Sequence, residues 1–87
     1  MEDIAGWRKS IDKIDTQLVR LFNERARCAT EIGKIKAQNG IEIYNPDREK
    51  NILKHVGELN EGPLSDTTVR NIFKKIIESC RELEKDQ

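Results

Sequence analysis

The sequence has little with which a small chain could staple itself. Its 87 residues include two cysteines, Cys28 and Cys80, outside any CxxC pair, and one histidine, His55. That inventory excludes a disulfide framework and offers no metal cluster, so no metal is expected. Two free thiols suit a reducing compartment, and a cytoplasmic location is expected. Neither sign of charge is in surplus, with Lys+Arg 16 and Asp+Glu 16. General nucleic-acid binding, which needs a basic excess, is excluded as the activity. No apolar run approaches the length of a membrane span, and the opening MEDIAGWRKSID has no signal-peptide core. No membrane partner is expected. Five glycines, two prolines and 5% aromatics are too few for a turn-rich sheet protein.

What is present is helix-forming. Charged residues make up 37% and hydrophobic ones 36%. The length allows one domain, residues 1–87, whose single core would be marginal without a partner. From about Asp3 to Gln38 only Gly6 and Gly33 interrupt good helix formers. A heptad places Ile4, Ile11, Leu18, Arg25 and Ile32 at a, and Trp7, Ile14, Leu21, Cys28 and Ile35 at d. Nine of these ten are apolar, the pattern of a long helix packed along its length. At about 1.5 Å per residue it runs roughly 50 Å, whereas a compact chain of this size has a radius of gyration near 12 Å. A second copy is the natural cover for the seam, and an intertwined homodimer is expected.

Asn39-Gly40 ends this helix. Asn45-Pro46 then gives an N-cap and a first-turn proline, with Asp47 and Glu49 suited to the positive helix start. The second helix reaches about Asn60, with Ile52, Leu53, Val56 and Leu59 inward. Gly62-Pro63 breaks the chain, and Ser65 or Asp66 caps a third helix to about Lys85. Its stripe is Val69, Ile72, Phe73, Ile76, Ile77, Cys80 and Leu83. The fold class is all-α, three helices per chain with a long first helix.

A few residues break these patterns. Arg25 is the one charge on the seam, and a guanidinium there needs a partner. The partner is a nearby carboxylate such as Glu24 or Glu31, or else an anionic ligand matched to its planar fork. Alternatively Arg25 merely sets register. Lys36 follows eleven residues later, on the same face and roughly 16 Å along the axis. It either complements the helix dipole or joins Arg25 around a small dianion. Glu84 continues the apolar stripe of the third helix, where burial favours its neutral form and nearby cations its charged form. Arg48 and Glu49, side by side in the first turn of the second helix, are a solvated pair on spacing alone. His55 reads as a surface residue, Trp7 as seam packing, and the cysteines as small core residues.

Arg8, Glu24-Arg25, the GKIK of Gly33 to Lys36, the DRE of Asp47 to Glu49, GPLS and IFKKIIESCRELE occur in an order and spacing that resemble the all-helical chorismate mutases over essentially the whole chain. The resemblance implies a dimer that swaps its long first helix, and conversion of chorismate to prephenate without a cofactor. It implies substrate binding by Arg25, Arg48 and Glu49, with Arg8 supplied by the partner chain. Lys36 and Glu84 are implied as the catalytic donors. Asn45 and Cys80 occupy substrate-binding positions where other members carry an Asp and a small hydroxyl residue. Glu84 stands where many carry Gln, and must be protonated to donate. Two other readings share this sequence: an isochorismate-pyruvate lyase on the same fold, and a helical dimerisation or regulatory module without activity.

Overall fold

The computed structural model describes residues 3–87, so the first two positions of the expected domain lie outside it. Three helices follow in order: α1, Ile4–Asn39; α2, Pro46–Leu59; and α3, Asp66–Lys85. No strand occurs among the described residues, and the all-α expectation holds.

Each helix end is closed by the residue that the chain offers there. The Asp3 carboxylate accepts from the Ala5 N–H at 3.0 Å, the Asn45 side chain from the Arg48 N–H at 3.1 Å, and Ser65 Oγ from the Thr68 N–H at 3.1 Å. These bonds satisfy donors that a helix start leaves unpaired. Gly40 ends α1 with φ of 63°, a left-handed value that favours glycine. Its N–H and that of Ile41 both reach the Lys36 carbonyl, the latter at 2.9 Å. Asn60 ties down the α2–α3 turn by donating to the Leu64 carbonyl and to Asp66, each at 2.8 Å.

α3 packs against both α1 and α2, which make no comparable contact with each other. The molecule is drawn out, 60 × 23 × 15 Å, with a radius of gyration of 16.3 Å against about 12 Å for a compact chain of this length. Its core is thin: Ala29, Val56, Ile77 and Cys80 are the buried apolar side chains among the described residues. Leu59, read as inward-facing, is instead 63% exposed. It is the last residue of α2.

Two stripes of α1 do different work. The stripe against α3 centres on buried Ala29 and Gly33, with Arg25, Ala26, Thr30 and Lys36 half-buried beside them. At 100° per residue the heptad seam lies roughly a quarter turn away. Arg25 belongs to both, reaching Cys80 of α3, while Ile4, Trp7, Ile11, Ile14, Leu21, Ile32 and Ile35 of the seam are exposed.

Gly33 explains how closely α1 and α3 approach. Mid-helix glycine costs about 1 kcal/mol relative to alanine, yet a Cβ here would lie 2.8 Å from Glu84 Cα and 3.0 Å from Glu84 O. Backbone atoms cannot step aside as a flexible side-chain tip can. Gly33→Ala is therefore expected to lower stability by about 1–3 kcal/mol despite its better helix propensity. Urea unfolding checks this, and a stabilised variant would show that the crossing relaxes freely.

Candidate active site

Where the three helices meet, a cavity of about 360 Å³ opens on one side. α1 contributes Arg25, Cys28, Ala29, Ile32 and Lys36, and the connector contributes Ile43 and Asn45. α2 supplies Arg48, Glu49 and Ile52, and α3 supplies Ile77, Cys80, Arg81 and Glu84. The volume falls in the range of small-molecule sites. Seven of the eight expected site residues are in this wall: Arg25, Lys36, Asn45, Arg48, Glu49, Cys80 and Glu84. Arg8 is not. It is exposed on α1, 17 residues before Arg25, or roughly 25 Å along the helix.

The polar groups differ in how they are held. Lys36 Nζ donates to the Ile43 carbonyl at 2.9 Å and lies 2.8 Å from Glu84 Oε1. Both side chains are largely covered, 16% and 14% exposed. The Lys36–Glu84 contact is a covered ion pair. Glu84 Oε1 is buried, with the Lys36 ammonium beside it. Lys36 belongs to the last turn of α1, but its ammonium turns into the cavity rather than merely capping the dipole.

Arg25 meets neither of the carboxylates read as possible partners. Glu31 pairs with Lys34 at 3.1 Å, and Arg25 Nη1 instead donates to Cys80 Sγ at 3.1 Å. Sulfur is a weak acceptor, so the guanidinium charge is not neutralised. Arg48 likewise makes no ion pair among the described residues. Glu49 is bound by Arg81, whose Nη1 lies 3.2 Å from Oε2, and not by adjacent Arg48. The wall thus carries four cations and two carboxylates. Lys36 faces Glu84 and Arg81 faces Glu49, leaving the charges of Arg25 and Arg48 uncompensated. Such a cavity attracts a small dianion.

Two expected contacts are qualified by the structure. Asn45 spends its side-chain oxygen on the α2 cap, leaving its amide nitrogen for the cavity. Cys80 is buried with its sulfur engaged by Arg25. Sequence reasoning missed Arg81 and Tyr44. The signal for Arg81 was its place four residues after Ile77 and three before Glu84, on the inward face of α3. No spacing pointed to Tyr44, which meets Arg81 from the connector. His55 is exposed, as read.

Because Arg25 lacks a carboxylate partner, Arg25→Leu is expected to leave stability unchanged or raise it by about 1 kcal/mol, since it replaces an uncompensated charge with a seam-compatible side chain. Denaturant unfolding measures this, and a loss above about 2 kcal/mol would make Arg25 a structural residue.

Comparison with known proteins places this geometry. Residues 7–85 match the model of the family described as chorismate mutase type II. The bifunctional chorismate mutase/prephenate dehydratase of Pseudomonas aeruginosa is 39% identical over 95% of this chain and 24% of its own length. This chain thus spans about a quarter of the bifunctional relatives it matches. The chorismate mutase of Methanocaldococcus jannaschii is 36% identical, with 98% of this chain and 87% of the relative covered. Among solved structures, chorismate mutase (form II) from Thermus thermophilus superposes with a TM-score of 0.95 at 36% identity, covering 99% of this chain and 98% of that one. The Helicobacter pylori chorismate mutase, solved in complex with prephenate, gives a TM-score of 0.86 at 25% identity over 95% and 90%. With its helices, its cavity and its sequence in agreement, this chain belongs to the chorismate mutase type II family.

Proposed function

We propose that residues 1–87 form a single catalytic domain that rearranges chorismate to prephenate, as a cytoplasmic homodimer serving aromatic amino acid biosynthesis. The observation that carries this reading is the pair of uncompensated guanidinium charges, Arg25 and Arg48, in a cavity that also holds the Lys36–Glu84 contact. Chorismate is a compact dicarboxylate. Its Claisen rearrangement breaks a C–O bond and forms a C–C bond within one molecule, so it requires no nucleophile, metal or cofactor. The protein must hold the chair-like conformer and stabilise negative charge growing on the ether oxygen.

In this reading Arg25 and the partner's Arg8 clamp carboxylates, and Arg48 adds positive charge beside them. Lys36 and Glu84 meet at the ether oxygen. Lys36 can donate as it stands; Glu84, beside it, donates only in its protonated form. Glu49 accepts from the ring hydroxyl. Loss of one donor aimed at the ether oxygen costs about 10²–10³ in rate. That the Helicobacter pylori relative was solved in complex with prephenate supports this reading.

The apolar seam supports the dimer. Single soluble chains rarely leave so long an apolar face uncovered, and Trp7 and Ile4 are 60% and 66% exposed here. Arg8 stands about 25 Å from Arg25 on one helix, too far for both to grip one small molecule. An antiparallel partner helix would bring its Arg8 to the open side of the cavity. The free thiols of Cys28 and Cys80 suit a reducing cytoplasm.

The decisive assay follows consumption of chorismate and identifies the product. Prephenate is expected. Turnover of isochorismate to pyruvate in place of it would favour the lyase, and inertness to both would favour a dimerisation module. Complementation tests the shared site. Arg8→Ala and Lys36→Ala dimers are each expected to be inactive, and mixing them restores activity because each hybrid dimer has one intact site of two. No recovery after confirmed chain exchange would rule out supply of Arg8 in trans.

A further inference from the structure

Arg81 lies in the cavity wall, yet the rearrangement as proposed gives it nothing to do. Its guanidinium holds two elements at once. Nη1 donates to Glu49 Oε2 at 3.2 Å and lies 3.5 Å from Oε1. Its central carbon sits 5.1 Å from the centroid of the Tyr44 ring. The Arg81 and Glu49 side chains are 26% and 24% exposed, so water screens their attraction only in part. One residue of α3 thereby fixes the first turn of α2 and the connector that precedes it.

The charge arithmetic gives this arrangement a purpose. Glu49 is a carboxylate in a cavity that otherwise suits a dianion. Left bare, it would repel the ligand that Arg25 and Arg48 attract. A carboxylate has about four acceptor positions, and one arginine occupies at most two. Glu49 held by Arg81 is electrically neutral as a pair and still has lone pairs for a hydroxyl. Arginine suits the task because its planar cation can stack on an aromatic ring while its edge meets a carboxylate.

We propose that Arg81 is a positioning residue: it neutralises and aims Glu49, allowing a site for a dianion to contain a hydroxyl acceptor. The inference rests on the dicarboxylate reading and deepens it, assigning to the Arg81–Glu49 pair the recognition of a hydroxyl on an otherwise doubly negative substrate.

The test is a double-mutant comparison of KM and kcat on chorismate, using the dimer with Arg81→Met, Glu49→Gln and both changes. Circular dichroism and thermal melting verify folding. Arg81→Met is expected to raise KM about tenfold through the bare carboxylate it leaves behind. Glu49→Gln raises KM in the parent, which loses its hydroxyl acceptor, but lowers KM in the Arg81→Met background, which loses a repulsive charge. That reversal of sign is the signature, because a merely structural Arg81 would not be rescued by uncharging its neighbour. Arg81→Lys keeps the charge and is expected to hold KM within about threefold of the parent. Should Arg81→Met not fold, Arg81→Gln carries the same comparison. An unchanged KM in Arg81→Met, or an equal penalty from Glu49→Gln in both backgrounds, overturns the proposal. An active parent with either result defeats only the role of Arg81; a parent inert to chorismate defeats the proposed function as well.

Discussion

The close crossing of α1 and α3 at Gly33 is the constraint on which the site depends. Lys36 is one turn beyond Gly33 on α1, and Glu84 is the α3 residue whose backbone lies against that glycine. The two side chains therefore face each other across an approach that a methyl group would spoil. Packing and chemistry share one point of contact here. The glycine costs helix propensity, and the return is a short, covered gap between an ammonium and a carboxyl.

Around that gap the wall is an incomplete circuit of charge. Two cations are answered by carboxylates and two are not. Leaving a half-buried guanidinium against a sulfur atom is unfavourable for the empty protein. Binding an anion removes that penalty, so part of the affinity comes from relief of a cost already present in the fold. The small core limits how many such costs the chain can carry. Ala29, Val56, Ile77 and Cys80 bury modest apolar area, and most of the large aliphatic side chains of α1 remain exposed.

Much of this was legible in the residues because it depends on local rules. Helix boundaries follow capping chemistry at Asn45, Ser65 and Gly40, and the cavity-facing pair Arg25 and Lys36 follows from helical spacing. The family resemblance supplied the assignments that spacing left open, including Glu49 and Cys80. What escaped the sequence depends on contacts distant along the chain. Arg81 meets a carboxylate 32 positions earlier and a ring carried by a connector, and no periodicity encodes such a meeting. Leu59 carries the right spacing for burial, but periodicity gives direction and not the presence of a neighbour. The seam of α1 and its α3 contact differ by only about a quarter turn, and a heptad reading merges them.

The Lys36 ammonium is tied to the carbonyl of Ile43, while the Lys36 carbonyl receives the N–H groups of Gly40 and Ile41. The end of α1 and the connector thus form a small closed loop locked at both ends of one residue. Most surface connectors absorb extra residues at little cost. This one has no slack, since an insertion between positions 39 and 44 would displace the carbonyl that steers the ammonium. The segment after α1 accordingly has room to vary by substitution alone.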